Sequence, residues 1–468
     1  MIMRELIKSS LVKCIIGVIL MCSRDVLCVF EWRYGSKEMR GLFTRKKFIE
    51  YMIKVEKALL EALVDVGIAP SDALEGLETI DPAKVYELEQ SIGHEVASLV
   101  FLLSEKLGET GKRYIHYGAT SNDIIDTAYT LIIKDALKII KAKLRKIIGK
   151  LMEMSNKYRK TIMVGRTHGQ HALPITLGFK FANYVYELTR SYERICDLEH
   201  RLLLAKMGGA VGTMAAWSKM GRRIRELVAK KLGLGYHLIS TQVAPRDGLA
   251  ELASTLAILA SQLDRFAVEV RELARPEIGE MWEKREEKIG SSAMPHKINP
   301  VTAERISGIS RVIRSMVPGF FDNIVLWHER DLSNSSFERI QIPHIILATD
   351  QVLDDTIHLL NNLAIDSNRM KANLNLLKGH NLAEALLNAL INKGLSRKEA
   401  YSIVMELSRK GLAEGKSLID TAINDPRITK LLSRKELEDI LKPENYLGEI
   451  DELIDDVLDY AAKVIGKC

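Results

Sequence analysis

Blocks of like charge are missing from this chain. Its 468 residues hold 67 Lys and Arg against 61 Asp and Glu, with both signs interspersed. A net charge of +6 distributed in this way excludes the basic tail or stripe that grips nucleic acid. The small excess suits attraction of an anionic small molecule. Cysteine is scarce: Cys14, Cys22, Cys28, Cys196 and Cys468 are scattered, with neither CxxC nor Cys/His spacing. That argues against a disulfide framework or a zinc site and points to a reducing cytoplasm. Glutamine is rare while Lys, Glu and Ile are common, a lean toward a thermophilic source. Internal repeats and low-complexity segments are absent, and strand signals nearly so. No apolar run is long enough to span a bilayer. The uninterrupted stretch 14–22 is too short.

That stretch lies in residues 1–29, which stand apart from the rest. Arg4 and Lys8 precede it as they would a signal-peptide core, but no small-x-small cleavage site follows. An upstream translation start or a dispensable extension is the expected reading, ahead of the alternative of a membrane anchor, and no membrane partner is expected.

What remains is periodic. Hydrophobic residues make up 47% and charged residues 27%, ordinary for a globular chain with a large core. Phe48, Met52, Val55, Leu59, Leu60 and Leu63 share one helix face over 45–66. Residues 124–159 form the longest periodic run, with Asp123 as the expected N-cap. Residues 173–206 and 248–275 repeat the pattern. Helices of this length need partners along their whole extent, so the predicted fold is all-α, built on a long-helix bundle. One short hairpin is expected near 207–217, where Gly208, Gly209 and Gly212 cluster. The expected regions are a helical N-terminal domain over 30–114, the bundle over 115–366 and a helical C-terminal domain over 367–468. Residues 392–396 read as a helix end followed by a new N-cap, and Asp425-Pro426 as another break.

Residues 290–300, Gly-Ser-Ser-Ala-Met-Pro-His-Lys-Ile-Asn-Pro, carry the strongest chemical signal. A glycine and two prolines keep the segment out of regular helix, and the sequence on either side, 277–288 and 302–317, reads as helical. A serine here lies near free backbone N–H groups and the Lys297 ammonium, both of which favour an oxyanion. Such a loop can bind carboxylates and let a serine act as a base. The plainer alternative is a polar interhelical loop.

Ser-Ser-x-Met-Pro-x-Lys-x-Asn-Pro resembles the signature of the fumarase/aspartase superfamily. Three further blocks match it in order: 116–123 (His-Tyr-Gly-Ala-Thr-Ser-Asn-Asp), 165–171 (Gly-Arg-Thr-His-Gly-Gln-His) and 326–336. The last block, with Trp32-Arg-Tyr-Gly-Ser36 and Glu38-Met-Arg40, resembles the branch that acts on succinylated purine nucleotides. The resemblance implies elimination of fumarate from such a nucleotide, on an all-α homotetramer with shared active sites. That chemistry needs a base for the proton beta to the nitrogen and an acid for the leaving nitrogen. It also needs cations and N–H donors for the carboxylates and the aci-carboxylate. It requires no metal and no organic cofactor.

By the same resemblance Ser291 is the base and His168 the acid, with Glu304 paired to the histidine and Thr167 beside it. Lys297 and Asn299 face the substrate carboxylates. Thr120 and Ser121, at the start of the longest helix, form an anion site that Gln242 joins. Arg33, Tyr34, Arg330, Ser335 and Arg339 match positions that hold the nucleotide phosphate and sugar. Arginine forks suit a phosphate. His94 matches a histidine near the base ring or leaving nitrogen. The chain departs from the pattern at Glu95, where aspartate is common, at Lys47, where arginine is expected, and at Asn122, which replaces Ser or Thr. His296 separates it from argininosuccinate lyases, which usually carry Gln there, and from fumarases, which carry Gly. Carboxymuconate cycloisomerases can share the histidine. A catalytically dead, crystallin-like member of the superfamily is the alternative from another functional class.

Overall fold

A computed structural model describes residues 27–76, 80–284, 294 and 296–467. The N-terminal region begins with the short helices Val29–Trp32 and Lys37–Leu42, then α1 (Arg45–Asp65), α2 (Pro82–Ile92) and α3 (Glu95–Lys106). The central region holds α4 (Ser121–Lys157), β1 (Ile162–Thr167), β2 (Gln170–Thr176), α5 (Leu177–Leu202), α6 (Gly221–Leu232) and α7 (Asp247–Leu273). After it come β3 (Met281–Glu283), α8 (Val301–Asp322), α9 (Ser333–Asn361) and β4 (Leu363–Ile365). Helices α10 (Ser367–Leu374), α11 (Ala383–Asn392), α12 (Arg397–Glu414) and α13 (Ile450–Lys467), with shorter ones between, complete the chain. The fold is all-α, as the periodicity predicts, and no described helix is long and apolar enough to cross a membrane.

At 1.5 Å per residue the 37-residue α4 runs about 55 Å. Along it Ala136, Leu137, Ile140, Leu144, Ile147, Ile148 and Leu151 are buried, a stripe of three- and four-residue steps. This stripe meets α5 and α9, while α7 packs along α8 and against α5. One continuous apolar core results, running from Ile133 through Phe181, Tyr192, Phe266 and Ile313 to Leu359. Helix α13 adds Ile450, Ile454, Leu458, Ala461 and Val464 to that same core. A second core forms under α1 and α3 and takes in Met207, Trp217, Ile224 and Val228 from the α5–α7 connection. A third lies among Leu386, Leu390, Val404, Leu407, Leu418 and Leu437.

Several local expectations are corrected. Helix α4 is capped by Thr120, and Asp123 sits three residues inside, closing a capping box. Residues 173–176 belong to β2, so α5 starts at Leu177 and ends at Leu202. The glycine cluster at 207–217 forms no hairpin. Strand Leu204–Ala205 instead pairs parallel with Gly235–Tyr236. The glycines there permit close approach: a Cβ on Gly212 would lie 1.9 Å from the Ser240 carbonyl oxygen. Among the described residues the hairpin is β1–β2. The reading of 277–288 as helix also fails where it is described, since Met281–Glu283 is strand. Residues 285–288 lie outside the described residues. The break at 392–396 is as expected: α11 ends at Asn392, and Ser396 caps α12 in a capping box with Glu399.

Candidate active site

Strand β3 pairs antiparallel with β4, Met281 opposite Ile365 and Glu283 opposite Leu363. Lys284 N–H continues the ladder to the Asn362 carbonyl at 2.8 Å. Glu283 ties the end of β3 to the start of α8. Its carboxylate accepts from Ala303 N–H at 2.7 Å and Thr302 N–H at 3.2 Å, the first amides of α8. Pro300 precedes α8 and offers no side-chain cap, so Glu283 supplies one from across the loop. Lys297, Asn299 and Glu304 line a 770 Å³ cavity at this junction, together with Trp282, His296 and Glu283. Arg271 and Arg275, from the end of α7, face the same space. Neither arginine carries a motif; an arginine pair four apart at a helix end facing the loop was the available signal. Arg271 donates to Ser307 Oγ at 3.2 Å, which ties α7 to α8. The cavity therefore holds three cationic side chains and one asparagine beside Glu272, Glu283 and Glu304, and Arg275 is already paired with Glu272 at 3.2 Å. Ser291 lies outside the described residues.

His168 lies between α4 and α5 in the chain. It occupies the tip of the β1–β2 hairpin, where His168 at φ 54° and Gly169 at φ 72° form a two-residue turn. Two left-handed residues give the turn whose twist matches a hairpin, and histidine tolerates that region better than most. His168, Thr167 and Gly169 are all exposed. The register slips between Val164 and Arg166: Gly165 alone on β1 faces Ala172 and Leu173 on β2, so the bulge lies on β2 opposite Gly165. Arg166 forks onto Glu280, with Nη1 2.9 Å from Oε2 and Nη2 2.7 Å from Oε1. Glu280 is wholly buried, and Asn373 Nδ2 also donates to it at 2.8 Å. On the next strand, burial and the adjacent Arg166 charge lower the His171 pKa, and Glu280 acts in the other direction.

Thr120 opens α4. Its N–H donates to Asp123 Oδ2 at 2.8 Å, and Asp123 also accepts from Gly208 and Gly209 and pairs with Lys206 at 2.7 Å. The Lys206 and Asp123 side chains are both fully buried. Beside this anchored terminus, His94 caps α3 through Nδ1, which accepts from Ala97 N–H at 3.2 Å. Its Nε2 lies 3.4 Å from Ser121 Oγ, so His94 and Ser121 are brought together.

Glu95 and Arg339 face a second cavity, of 270 Å³, with Arg45, Tyr86 and Tyr129. Burial and then Glu89 push the Glu95 carboxyl up, while Arg339 and Arg45 draw it back down. Sequence reading missed Arg45, Tyr86 and Tyr129, whose spacing gives no sign that they converge. Lys47 forms an ordinary pair with Glu50 at 3.1 Å. Gln242 Oε1 accepts from Arg330 Nη1 at 3.3 Å. Burial, with the nearby Arg246 charge, lowers the Arg330 guanidinium, and Asp126 acts in the other direction. Behind Arg330, Arg246 bridges Asp126 and Glu338 in a buried cluster that joins α4, α7 and α9. Ser335 lies in the first turn of α9. Arg33 is exposed, 5.8 Å from the ring centroids of both Trp32 and Tyr34.

The candidate residues thus fall into separate groups: the Lys297 cavity, the His168 tip, the His94–Ser121 contact, the Glu95–Arg339 cavity and the Gln242–Arg330 contact. Among the described residues no hydrogen bond joins one group to another, and His168 does not line the Lys297 cavity.

Comparison with known proteins fits this geometry. The family described as Lyase matches residues 33–315, and the one described as Adenylosuccinate lyase C-terminus matches residues 379–457. Adenylosuccinate lyase of Methanothermobacter thermautotrophicus is 40% identical over 441 residues, covering 92% of this chain and 98% of that protein. Those of Archaeoglobus fulgidus and Pyrococcus horikoshii are 39% and 40% identical, each covering 93% of this chain and 98% of the relative. Among solved structures, fumarate lyase from Mesorhizobium sp. BNC1 superposes with a TM-score of 0.83 at 30% identity, over 91% of this chain and 98% of that one. The 3-carboxy-cis,cis-muconate lactonizing enzyme of Pseudomonas putida gives 0.83 at 30% identity, over 93% and 99%. The structural likeness marks out the wider superfamily, and the sequence likeness narrows it: the chain is a lyase and belongs to the adenylosuccinate lyase family.

Proposed function

We propose that this protein eliminates fumarate from adenylosuccinate, giving AMP, and from the succinyl-carboxamide ribotide of purine synthesis. The observation that carries the reading is the Lys297 cavity. Lys297, Arg271 and Arg275 give it cationic donors for a dicarboxylate and Asn299 a neutral amide, with Glu272, Glu283 and Glu304 on the same lining. In this reading Ser291 removes the proton beta to the nitrogen, and Lys297 stabilises the resulting aci-carboxylate. His168 protonates the leaving nitrogen, its charge supported by Glu304. Thr120, Ser121 and Gln242 hold the succinyl carboxylates, Thr167 and His94 position the leaving side, and Arg33, Tyr34, Arg330, Ser335 and Arg339 hold the ribose phosphate. Glu95 and Asn299 complete the contacts. The elimination needs no cofactor.

The separation of these groups supports a composite site. His168 stands exposed at a hairpin tip and touches neither Lys297 nor Glu304 of its own chain. A closed homotetramer can bring the His168 tip of one subunit to the Lys297 cavity of another. The reading is tested by incubating the protein with each succinylated nucleotide and following fumarate release. Turnover of argininosuccinate or a carboxymuconate with both nucleotides inert overturns it.

A further inference from the structure

We infer that the Arg166–Glu280 pair, part-buried on its arginine side, positions His168, coupling the hairpin tip to the strand that leads into the Lys297 loop. The inference rests on the proposed role of His168 as the acid. Arg166 is two residues from His168, paired with His171 in the last rungs of the ladder before the turn, so anchoring its side chain anchors the base of the tip. Its fork ends on Glu280, which is wholly buried. Glu280 is itself fixed on three sides. Its N–H donates to the Leu273 carbonyl at 3.0 Å, its carbonyl accepts from Asp366 N–H at 3.0 Å, and its carboxylate accepts from Asn373. Asn373 Nδ2 also donates to the Ile278 carbonyl at 2.8 Å. Glu280 precedes β3 directly, and Trp282 and Glu283 of β3 line the cavity. The fork is therefore a rigid, two-point joint between the element that carries the proposed acid and the frame of the anion cavity. A planar bidentate pair fixes an angle, which a single hydrogen bond does not.

Three variants and a control test this on the full-length protein with adenylosuccinate. Glu280→Gln keeps the shape but loses the charge and one acceptor of the fork. It is expected to lower kcat about 10²-fold, the cost of roughly 1 Å of misplacement, with KM within about 2-fold. Glu280→Asp restores the charge and should recover part of kcat. Arg166→Lys keeps the charge but cannot fork, and should show the same fall in kcat at preserved KM; it decides the question where Glu280→Gln fails to fold. The control is Asp264→Asn, which breaks the Arg314–Asp264 pair between α7 and α8 (2.9 Å). It should lower the melting temperature while leaving kcat near the wild-type value. Full kcat in Glu280→Gln or Arg166→Lys, with His168→Ala inactive, overturns the positioning role and leaves the acid assignment standing. Equal loss of kcat in Asp264→Asn shows a merely structural effect and also overturns it. An active His168→Ala removes the acid assignment, and this inference with it.

Discussion

Asp123 and Lys206 form the most enclosed ion pair described, with both side chains at zero exposure and 2.7 Å apart. Asp123 also takes N–H donors from Thr120, Gly208 and Gly209, while Lys206 donates to the Gly209 carbonyl at 3.2 Å. Asp123→Asn keeps the shape and most of the acceptors but strips Lys206 of its counter-charge. Removing one partner of a buried pair leaves an uncompensated charge and costs about 3–5 kcal/mol. The capping box is spared in large part, because asparagine still accepts from the Thr120 amide. Lys206→Met in the same chain removes the stranded ammonium, so the double variant should lie closer to wild type than Asp123→Asn alone. Replacing both members of a buried pair is often near neutral. Urea denaturation of the four proteins at one protein concentration gives the cycle. A loss under about 1 kcal/mol for Asp123→Asn, or a double variant weaker than the single by the full cost of Lys206→Met, refutes the argument. Activity should fall together with stability, since the same carboxylate anchors the Thr120–Ser121 terminus.

Three further outcomes are expected. Lys297→Ala should lower the rate by about 10²-fold or more while leaving the melting temperature almost unchanged, because an exposed loop ammonium packs little; an unfolded or fully active variant contradicts this. His168→Ala and Ser291→Ala, each inactive alone, should regain activity when denatured together and refolded, up to roughly one site in four for a closed assembly; mixed tetramers without activity would place both residues in one chain's site. His116 Nδ1 lies 2.6 Å from the fully buried Glu56. Burial alone would lower the His116 pKa, but the Glu56 charge and hydrogen bond outweigh it and raise it. A raised folded pKa gives stability that is complete below the unfolded value of about 6.5 and lost as pH climbs through the folded value. His116→Asn suits the left-handed φ of 58° at that position. The gap in melting temperature between wild type and this variant should be widest near pH 6 and narrow toward pH 9; a gap independent of pH refutes the pairing.

The long helices were legible because their apolar stripes repeat every three or four residues for many turns. What the sequence hid has short-range or non-local causes. Ile162-Met163-Val164 is too brief to separate strand from helix by period, and only the His168-Gly169 dipeptide, both residues left-handed, marks the hairpin. The glycines at 208–212 read as a turn, yet they serve to admit the Ser240 and Thr241 backbone, about thirty residues away in sequence. Strand β3 has three residues and finds its partner at Leu363–Ile365. Asp123 was read as a cap because an acid before a helical run so often is one. The preceding Thr120, with an acid three residues on, was the better signal. Lys297 and Glu304 were legible from a motif and do share a cavity. Arg271, Arg275 and Trp282 come to it from other elements, and no local pattern announces them.

Helix α13 packs against α5, although about 270 residues separate Ile454 from Val185, and it fills the main core with Ile454 and Ala461 at zero exposure. During synthesis the bundle therefore emerges with one flank open. The side of α5 that Ile450, Ile454 and Leu458 will cover faces water until the 450–467 segment has left the ribosome. Residues 383–440 meanwhile enclose a core of their own, so that unit can consolidate first and then carry α13 back to its seat. Closing the bundle is thus a late, long-range event, the kind that slows folding and exposes apolar surface in transit.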